Sequence, residues 1–295
     1  MARTLPGAVD QPAVLAGAVL MLGAMALLAV SDGFAKELGR RFPVWEVVWA
    51  RYAFNILAVA PPLLWRHRVR ELWPARPLLQ VARGTALLVS TALYFGALAV
   101  MPLADTLALT FIAPLVVAAL APWLLDEWVG WRAWAAVAVG FAGTLLIARP
   151  GLGVLDAGAP LAVGAGATYG LFLIATRRLA GTAPPLVTLG WTAAVGAVAT
   201  SALLPFVWRT PGAGELALMA GLGAGTALAH LLFIRAFAST PATLVAPLTY
   251  LEIVGAAAVG YIAFGEFPDA LTWLGAAVIV ASGLVVSLGG SATWR

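Results

Sequence analysis

Ten apolar runs, each close to the ~20 residues that a helix needs to cross a bilayer, follow one another along this chain with short turns between them. They fall at roughly 13–35, 44–65, 83–100, 103–125, 131–148, 158–176, 186–207, 216–237, 241–263 and 270–288. The turns are marked by Pro102, Pro150, Pro184, Pro185, Pro211 and Pro241, residues that cannot continue a helix cheaply. With 62% hydrophobic and only 10% charged residues, the pattern predicts an all-α integral membrane protein. The pI near 10 does not point to nucleic acid, because the arginines lie between apolar runs and no basic stretch is interleaved with aromatics. The chain has no cysteine, which removes disulfide and thiol chemistry.

The runs also repeat. A shift of 139 positions lays residues 97–144 on 236–283, matching Pro102 to Pro241, Thr110 to Thr249, Phe111 to Tyr250, Glu127 to Glu266 and Trp134 to Trp273. A shift of 141 matches Gly17 to Gly158, Gly23 to Gly164, Lys36 to Arg177 and Pro43 to Pro184. Each half therefore holds five helices, and an odd number per half inverts the second repeat in the membrane. The expected division is an N-terminal tail at 1–12, a first repeat at 13–148, a connector at 149–157, a second repeat at 158–288 and a C-terminal tail at 289–295. Arg3 and the Ala24, Met25, Ala26 triplet mimic a signal peptide, but the run is too long for one and matches a later helix, so retention is expected. With both termini cytoplasmic, eleven arginines fall inside against five arginines and lysines outside, the bias that membrane insertion favours.

The runs LADTLALTFIAPLVVAALAPWLLDE and TPATLVAPLTYLEIVGAAAVGYIAFGE, with the arginine of PVWEVVWARYAF, resemble EamA-type members of the drug/metabolite transporter superfamily. The resemblance covers nearly the whole chain and includes the duplication. It implies two inverted five-helix halves around a central cavity in the inner membrane, and many bacterial members export amino acids or related metabolites. Ile253 stands where the family commonly has a proline after the glutamate.

A carboxylate in mid-membrane costs at least ~2.5 kcal/mol, so Glu252 needs compensation. His230 and Glu252 each lie eleven residues from Pro241, or ~16 Å of helix, which predicts that they meet near the midplane. The pair reads either as a cargo or proton site, since histidine changes charge near neutral pH, or as a lock between two helices. On a continuous helix Glu252 shares its face with Thr249, and the matching face of the first half carries Thr106 and Thr110, so these are the expected lining. Phe111 and Tyr250 fall on the opposite face and suit an aromatic cargo; Tyr94 and Tyr169 are further candidates, or else packing aromatics. Arg51, Glu46 and Asp32 are expected to form a structural ion-pair cluster, with Lys36 one turn beyond Asp32 as its local partner. Arg51 is read as the one cation deep in a helix.

Enzyme readings fail on inventory. Lys36 is the only lysine and follows no Gly-rich loop, which excludes a P-loop and a lysine Schiff base. Two histidines with no His-Glu-x-x-His argue against a metal, and no Gly-x-Ser-x-Gly is present, so no cofactor or metal is expected. There remains a monomeric secondary transporter of a small metabolite, with export of neutral or aromatic amino acids expected. A lipid-carrier flippase or other metabolite or drug transporter on the same scaffold is the alternative, and a non-transporting helical partner of another complex is third. A flippase would need a lateral opening and cations for phosphate.

Overall fold

The computed structural model describes residues 11–66, 68–125, 131–148, 158–179, 181–239 and 246–289. The tail before residue 11, His67, Glu127, the 149–157 connector, Pro241 and the last six residues lie outside the described set. The described residues form helices α1 (Gln11–Gly39), α2 (Val44–Arg66), α3 (Pro77–Leu98), α4 (Leu103–Thr110), α5 (Ala113–Leu124), α6 (Trp131–Ala148), α7 (Ala159–Arg178), α8 (Pro185–Val207), α9 (Ala213–Ser239), α10 (Glu252–Phe264) and α11 (Ala270–Gly289). Short 3₁₀ segments cover Val69–Leu72 and Ala246–Leu251. Seven of these stretches, with α4 and α5 taken together, are long and apolar enough to cross a membrane; α6, α10 and α11 are shorter apolar helices. Leu57, Val198, Phe206 and Ile262 point outward, an apolar exterior that suits lipid rather than water.

Three boundaries differ from the sequence expectation. The third helix starts at Pro77 rather than 83, because proline is favoured in the first helical turn, and this draws Arg83 into the bundle. The fourth run is not one helix: α4 stops at Thr110 and α5 restarts at Ala113, since Pro114 has no N–H to offer the Thr110 carbonyl. The described part of the ninth run begins at Ala246 with a 3₁₀ segment containing Pro247 and turns α-helical only at Glu252, so the backbone departs from α geometry without a proline at position 253.

Packing relates the two halves. α1 packs on α9 and α3 on α7; α2 packs on α9 and α3 on α8; α1 packs on α10, and α7 on α4 and α5. The pairs α2 with α8, α6 with α11 and α4 with α10 also join the halves, as does the contact of α11 with α4 and α5. Apart from that last contact, exchanging the first five runs for the last five maps each of these pairs onto another or onto itself.

Close approach is obtained by omitting side chains. A Cβ on Gly143 would stand 3.0 Å from the Gly275 carbonyl oxygen, and one on Gly275 would stand 2.8 Å from that of Gly143, so α6 and α11 touch backbone to backbone. At Gly223 a Cβ would meet Phe54 Cβ at 2.4 Å, the Asn55 nitrogen at 2.8 Å and the Arg51 oxygen at 2.9 Å. This contact seats α9 on the turn of α2 that carries Arg51. Gly223→Ala is therefore expected to push α9 off α2 and lower stability by about 1–3 kcal/mol, read by thermal unfolding in detergent; an unchanged melting temperature contradicts the contact.

Candidate functional site

Six polar side chains from six helices converge inside the bundle. Asp32 of α1 is 7% exposed and accepts a hydrogen bond from Tyr94 Oη of α3 at 2.8 Å. The Arg51 guanidinium of α2 lies 5.6 Å over the Phe95 ring and within electrostatic reach of both Asp32 and Glu252, the first residue of α10. Tyr169 of α7 and His230 of α9 complete the group: Tyr169 feels Glu252 and Arg51, and His230 feels Arg51. Arg51 closes no ion pair within 4.0 Å with either acid among the described residues. Two carboxylates and one guanidinium thus face each other without being locked together.

Several expected pairings give way to others. His230 and Glu252 do not pair: the His230 Nδ1 stands 2.8 Å from the Thr226 carbonyl on its own helix, and the charges acting on Glu252 are Asp32 and Arg51. The reason is topological, since α1 packs along both α9 and α10 and separates helices that are consecutive in sequence. Lys36 does not pair with Asp32. It reaches across the halves to Glu266 Oε2 at 2.8 Å and to the Met101 carbonyl at 2.6 Å. Glu46 accepts from the Arg209 backbone N–H at 2.9 Å rather than from Arg51, and its Oε1 is buried without a partner. Thr106 is completely enclosed and donates to the Pro102 carbonyl, while Thr110 donates to that of Thr106, so both hydroxyl protons serve their own helix. Thr249 lies half-buried in the 3₁₀ segment. Phe111 and Tyr250, matched by the repeat, pack on each other with ring centroids 5.3 Å apart where the two halves meet.

Sequence reasoning missed Arg83. It is 6% exposed, donates to Thr176, Gln80 and Thr188, and lies 4.8 Å over the Phe172 ring, so Arg51 is not the one deep cation. The helix-start signal of Pro77 carries the information, but the run was delimited by apolarity.

The Lys36 contacts close one end of the bundle. Glu266 Oε2 also accepts from the Leu103 N–H at 3.3 Å, so one ion pair ties α1, the 99–102 turn and the end of α10 together. Lys36→Met removes the tie and leaves Glu266 without its cation. A loss of about 1–3 kcal/mol is expected, less than for a fully buried pair because Glu266 is 26% exposed. A cysteine introduced at Met101 should then react faster with an impermeant thiol reagent; equal rates in the two backgrounds contradict a closing role.

Similarity to known proteins identifies the family and the fold. A family model described as the EamA-like transporter family matches residues 15–149 and again 156–288. An S-adenosylmethionine uptake transporter of Rickettsia felis is 28% identical over 258 residues, 88% of this chain and 87% of that protein. A riboflavin transporter of Rhizobium johnstonii is 28% identical over 83% of this chain and 81% of its own. A pseudopaline exporter of Pseudomonas aeruginosa is 27% identical over 92% and 95%. A solved crystal structure superposes with a TM-score of 0.63 at 18% identity, covering 95% of this chain and 99% of its own, which speaks to the fold. With the family model matched twice along an all-helical, lipid-faced bundle, this chain is a multi-pass membrane transporter, not an enzyme, and it belongs to the EamA-like transporter family.

Proposed function

We propose that the chain carries an amino-acid derivative with a positive centre or flat ring beyond its α-amino acid group, of the S-adenosylmethionine type, across the inner membrane. The observation that carries this reading is the balance of charge at Asp32, Arg51 and Glu252. Arg51 complements a carboxylate and one acid complements an ammonium, which leaves a second acid for a further positive charge on the cargo or for a proton. Tyr94, Tyr169 and His230 add hydroxyl, aromatic and imidazole surface beside these charges, the mixture that orients a small polar molecule. The relatives named for S-adenosylmethionine uptake fit this cargo; those named for riboflavin and pseudopaline bound how far relatives diverge.

The proposed architecture is ten crossings in two inverted five-helix halves, 13–148 and 158–288, that rock against each other. It is supported by the exchange symmetry of the helix pairs and by the two matches of the family model. The end contacts also support it: Lys36 of α1 with Glu266 and Arg41 with Glu215 of α9 join segments at the end taken as outer, and Trp191 of α8 with the Leu72 carbonyl joins segments near the end taken as inner. Removing Arg83 from the loop count leaves ten against five, so the bias toward cytoplasmic termini stands. In an alternating-access cycle the Lys36 tie opens as the other end closes.

The second reading, export of a neutral or aromatic amino acid, draws support from the Phe111 and Tyr250 pair at the meeting of the halves. A flippase fits poorly. The lateral groove of about 310 Å³ between α1, α9 and α10 is lined by apolar side chains such as Phe34, Leu218 and Phe264, with Glu37 engaged by Arg40 and Arg41, and its lining holds no cation to receive a phosphate. The test is counterflow into proteoliposomes preloaded with S-adenosylmethionine, phenylalanine, riboflavin or nothing. Labelled S-adenosylmethionine should accumulate faster with internal S-adenosylmethionine than without, with phenylalanine weaker and riboflavin inert. Acceleration by riboflavin alone, or movement of a lipid-linked phosphate without any amino-acid exchange, contradicts the proposal.

A further inference from the structure

Among the described residues, Arg83 is a buried cation with no carboxylate beside it. Its three hydrogen bonds go to neutral acceptors: Nε to Thr176 Oγ1 at 2.8 Å, and Nη1 to Gln80 Oε1 at 3.2 Å and to the Thr188 carbonyl at 3.1 Å. Nη2 donates to nothing among the described residues, and none of their carboxylates lies within 4.0 Å of the guanidinium. Holding an ion out of water without a counter-ion is expensive. If Arg83 only joined α3 to α7 and α8, a neutral amide would do so more cheaply, and Gln80 beside it already makes such a contact with Thr188 Oγ1 at 3.4 Å.

Its place in the bundle gives the charge a use. Arg83 lies eleven residues, or ~16 Å of helix, before Tyr94, which holds Asp32. It therefore stands toward the end of the bundle remote from Lys36. Tyr169 and His230 each lie within electrostatic reach of both Arg83 and Arg51. Tyr169 also stacks at 5.4 Å on Phe172, the ring beneath the Arg83 guanidinium. Two cations are thus linked along the interior by a phenol and an imidazole.

We propose that Arg83 is a second anion-holding station of the transport path, which takes the carboxylate of the cargo at the end remote from Lys36 and passes it toward Arg51. The proposal rests on the amino-acid-derivative reading above and deepens it. Phe172 fixes one face of the guanidinium while Nε and Nη1 are engaged, so Nη2 is the donor left to meet a carboxylate. Arg51, which has no hydrogen-bonded anchor of this kind among the described residues, is the inner station.

The experiment uses the full chain in proteoliposomes of known orientation, as wild type, Arg83→Gln and Arg83→Lys. Labelled S-adenosylmethionine is the cargo, competed by phenylalanine or by its carboxamide, in which a neutral amide replaces the carboxylate, and also by unlabelled S-adenosylmethionine or its decarboxylated form. In wild type the carboxylate-bearing member of each pair should compete better. In Arg83→Gln that preference should vanish for cargo presented at the Arg83 end, with KM there raised by about tenfold or more, the effect of losing a hydrogen bond to a charged group. KM at the Lys36 end and the melting temperature should stay near wild type, and Arg83→Lys should recover part of the preference. An undiminished preference in Arg83→Gln, with or without lost stability, overturns the proposal and makes Arg83 a clamp. If Arg83→Gln does not fold, Arg83→Lys decides alone: an unaltered preference with the fork removed overturns it. A wild type with no carboxylate preference sinks the cargo reading and the station together, whereas a wild-type preference that survives both substitutions sinks the station only. Repeating the assay with and without anionic lipid covers the other source of anions. Loss of a lipid dependence in Arg83→Gln at unchanged carboxylate preference assigns the site to a headgroup and overturns the proposal.

Discussion

A charge placed in hydrocarbon costs more than most helix contacts return, and this bundle is organised by how each of its charges is answered. Lys36 is met fully, by the Glu266 carboxylate and the Met101 carbonyl, and the result ties three segments from both halves at one end. Glu46 is met by half, with one oxygen on the Arg209 N–H and the other buried without a partner. Among the described residues, Arg83 is met by neutral acceptors. Asp32 and Glu252 share Arg51, which closes no ion pair with either among the described residues, and Asp32 also accepts from the Tyr94 hydroxyl. A locked pair in mid-bundle would compete with any charged cargo, and breaking it would leave an uncompensated ion. A loose trio keeps the acids compensated enough to be tolerated and available enough to bind.

The same residues connect the chemistry to the motion proposed for the halves. Glu252 begins α10 where the 3₁₀ segment ends, and its counterpart in the first half is the interruption between α4 and α5 at Phe111 and Ile112. Both places have fewer regular i to i−4 hydrogen bonds than the helices around them, so they deform at lower cost than the middle of α1 or α2. Phe111 and Tyr250 join these two irregular points to each other. Gly223 and the Gly143 and Gly275 pair do the opposite, bringing helices into backbone contact that allows little sliding.

The all-helical, membrane-type character of the chain was legible in the sequence, because hydrophobicity over twenty residues is a strong signal, and the fixed shift that relates Pro102 to Pro241 and Phe111 to Tyr250 runs parallel to the double match of the family model. The partners of the polar residues were not. His230 and Glu252 are equidistant from Pro241, yet equal depth fixes only height in the membrane, and α1 lies alongside both helices. Asp32 and Lys36 stand one turn apart, but the long lysine stem reaches a carboxylate from the other half, and Tyr94 claims the aspartate. Arg83 escaped because the third helix was delimited by where apolarity begins instead of by the proline that starts it. Local rules found most of the elements but not the breaks at Thr110 and Glu252, and the partners of Asp32 and Lys36 lie more than sixty residues away, beyond the reach of any local rule.

The central claim is that Glu252 is a working charge and not a packing residue, and the most direct measurement is exchange by Glu252→Gln beside its melting temperature. The amide fills nearly the same volume and keeps a hydrogen-bonding group at that place, so the account predicts an unchanged melting temperature and exchange reduced by about tenfold or more. Glu252→Leu, measured alongside, gauges what losing the polar group costs the fold. Normal exchange by Glu252→Gln, with instability confined to the leucine variant, would contradict the account and move the site to the surface formed by Phe111 and Tyr250.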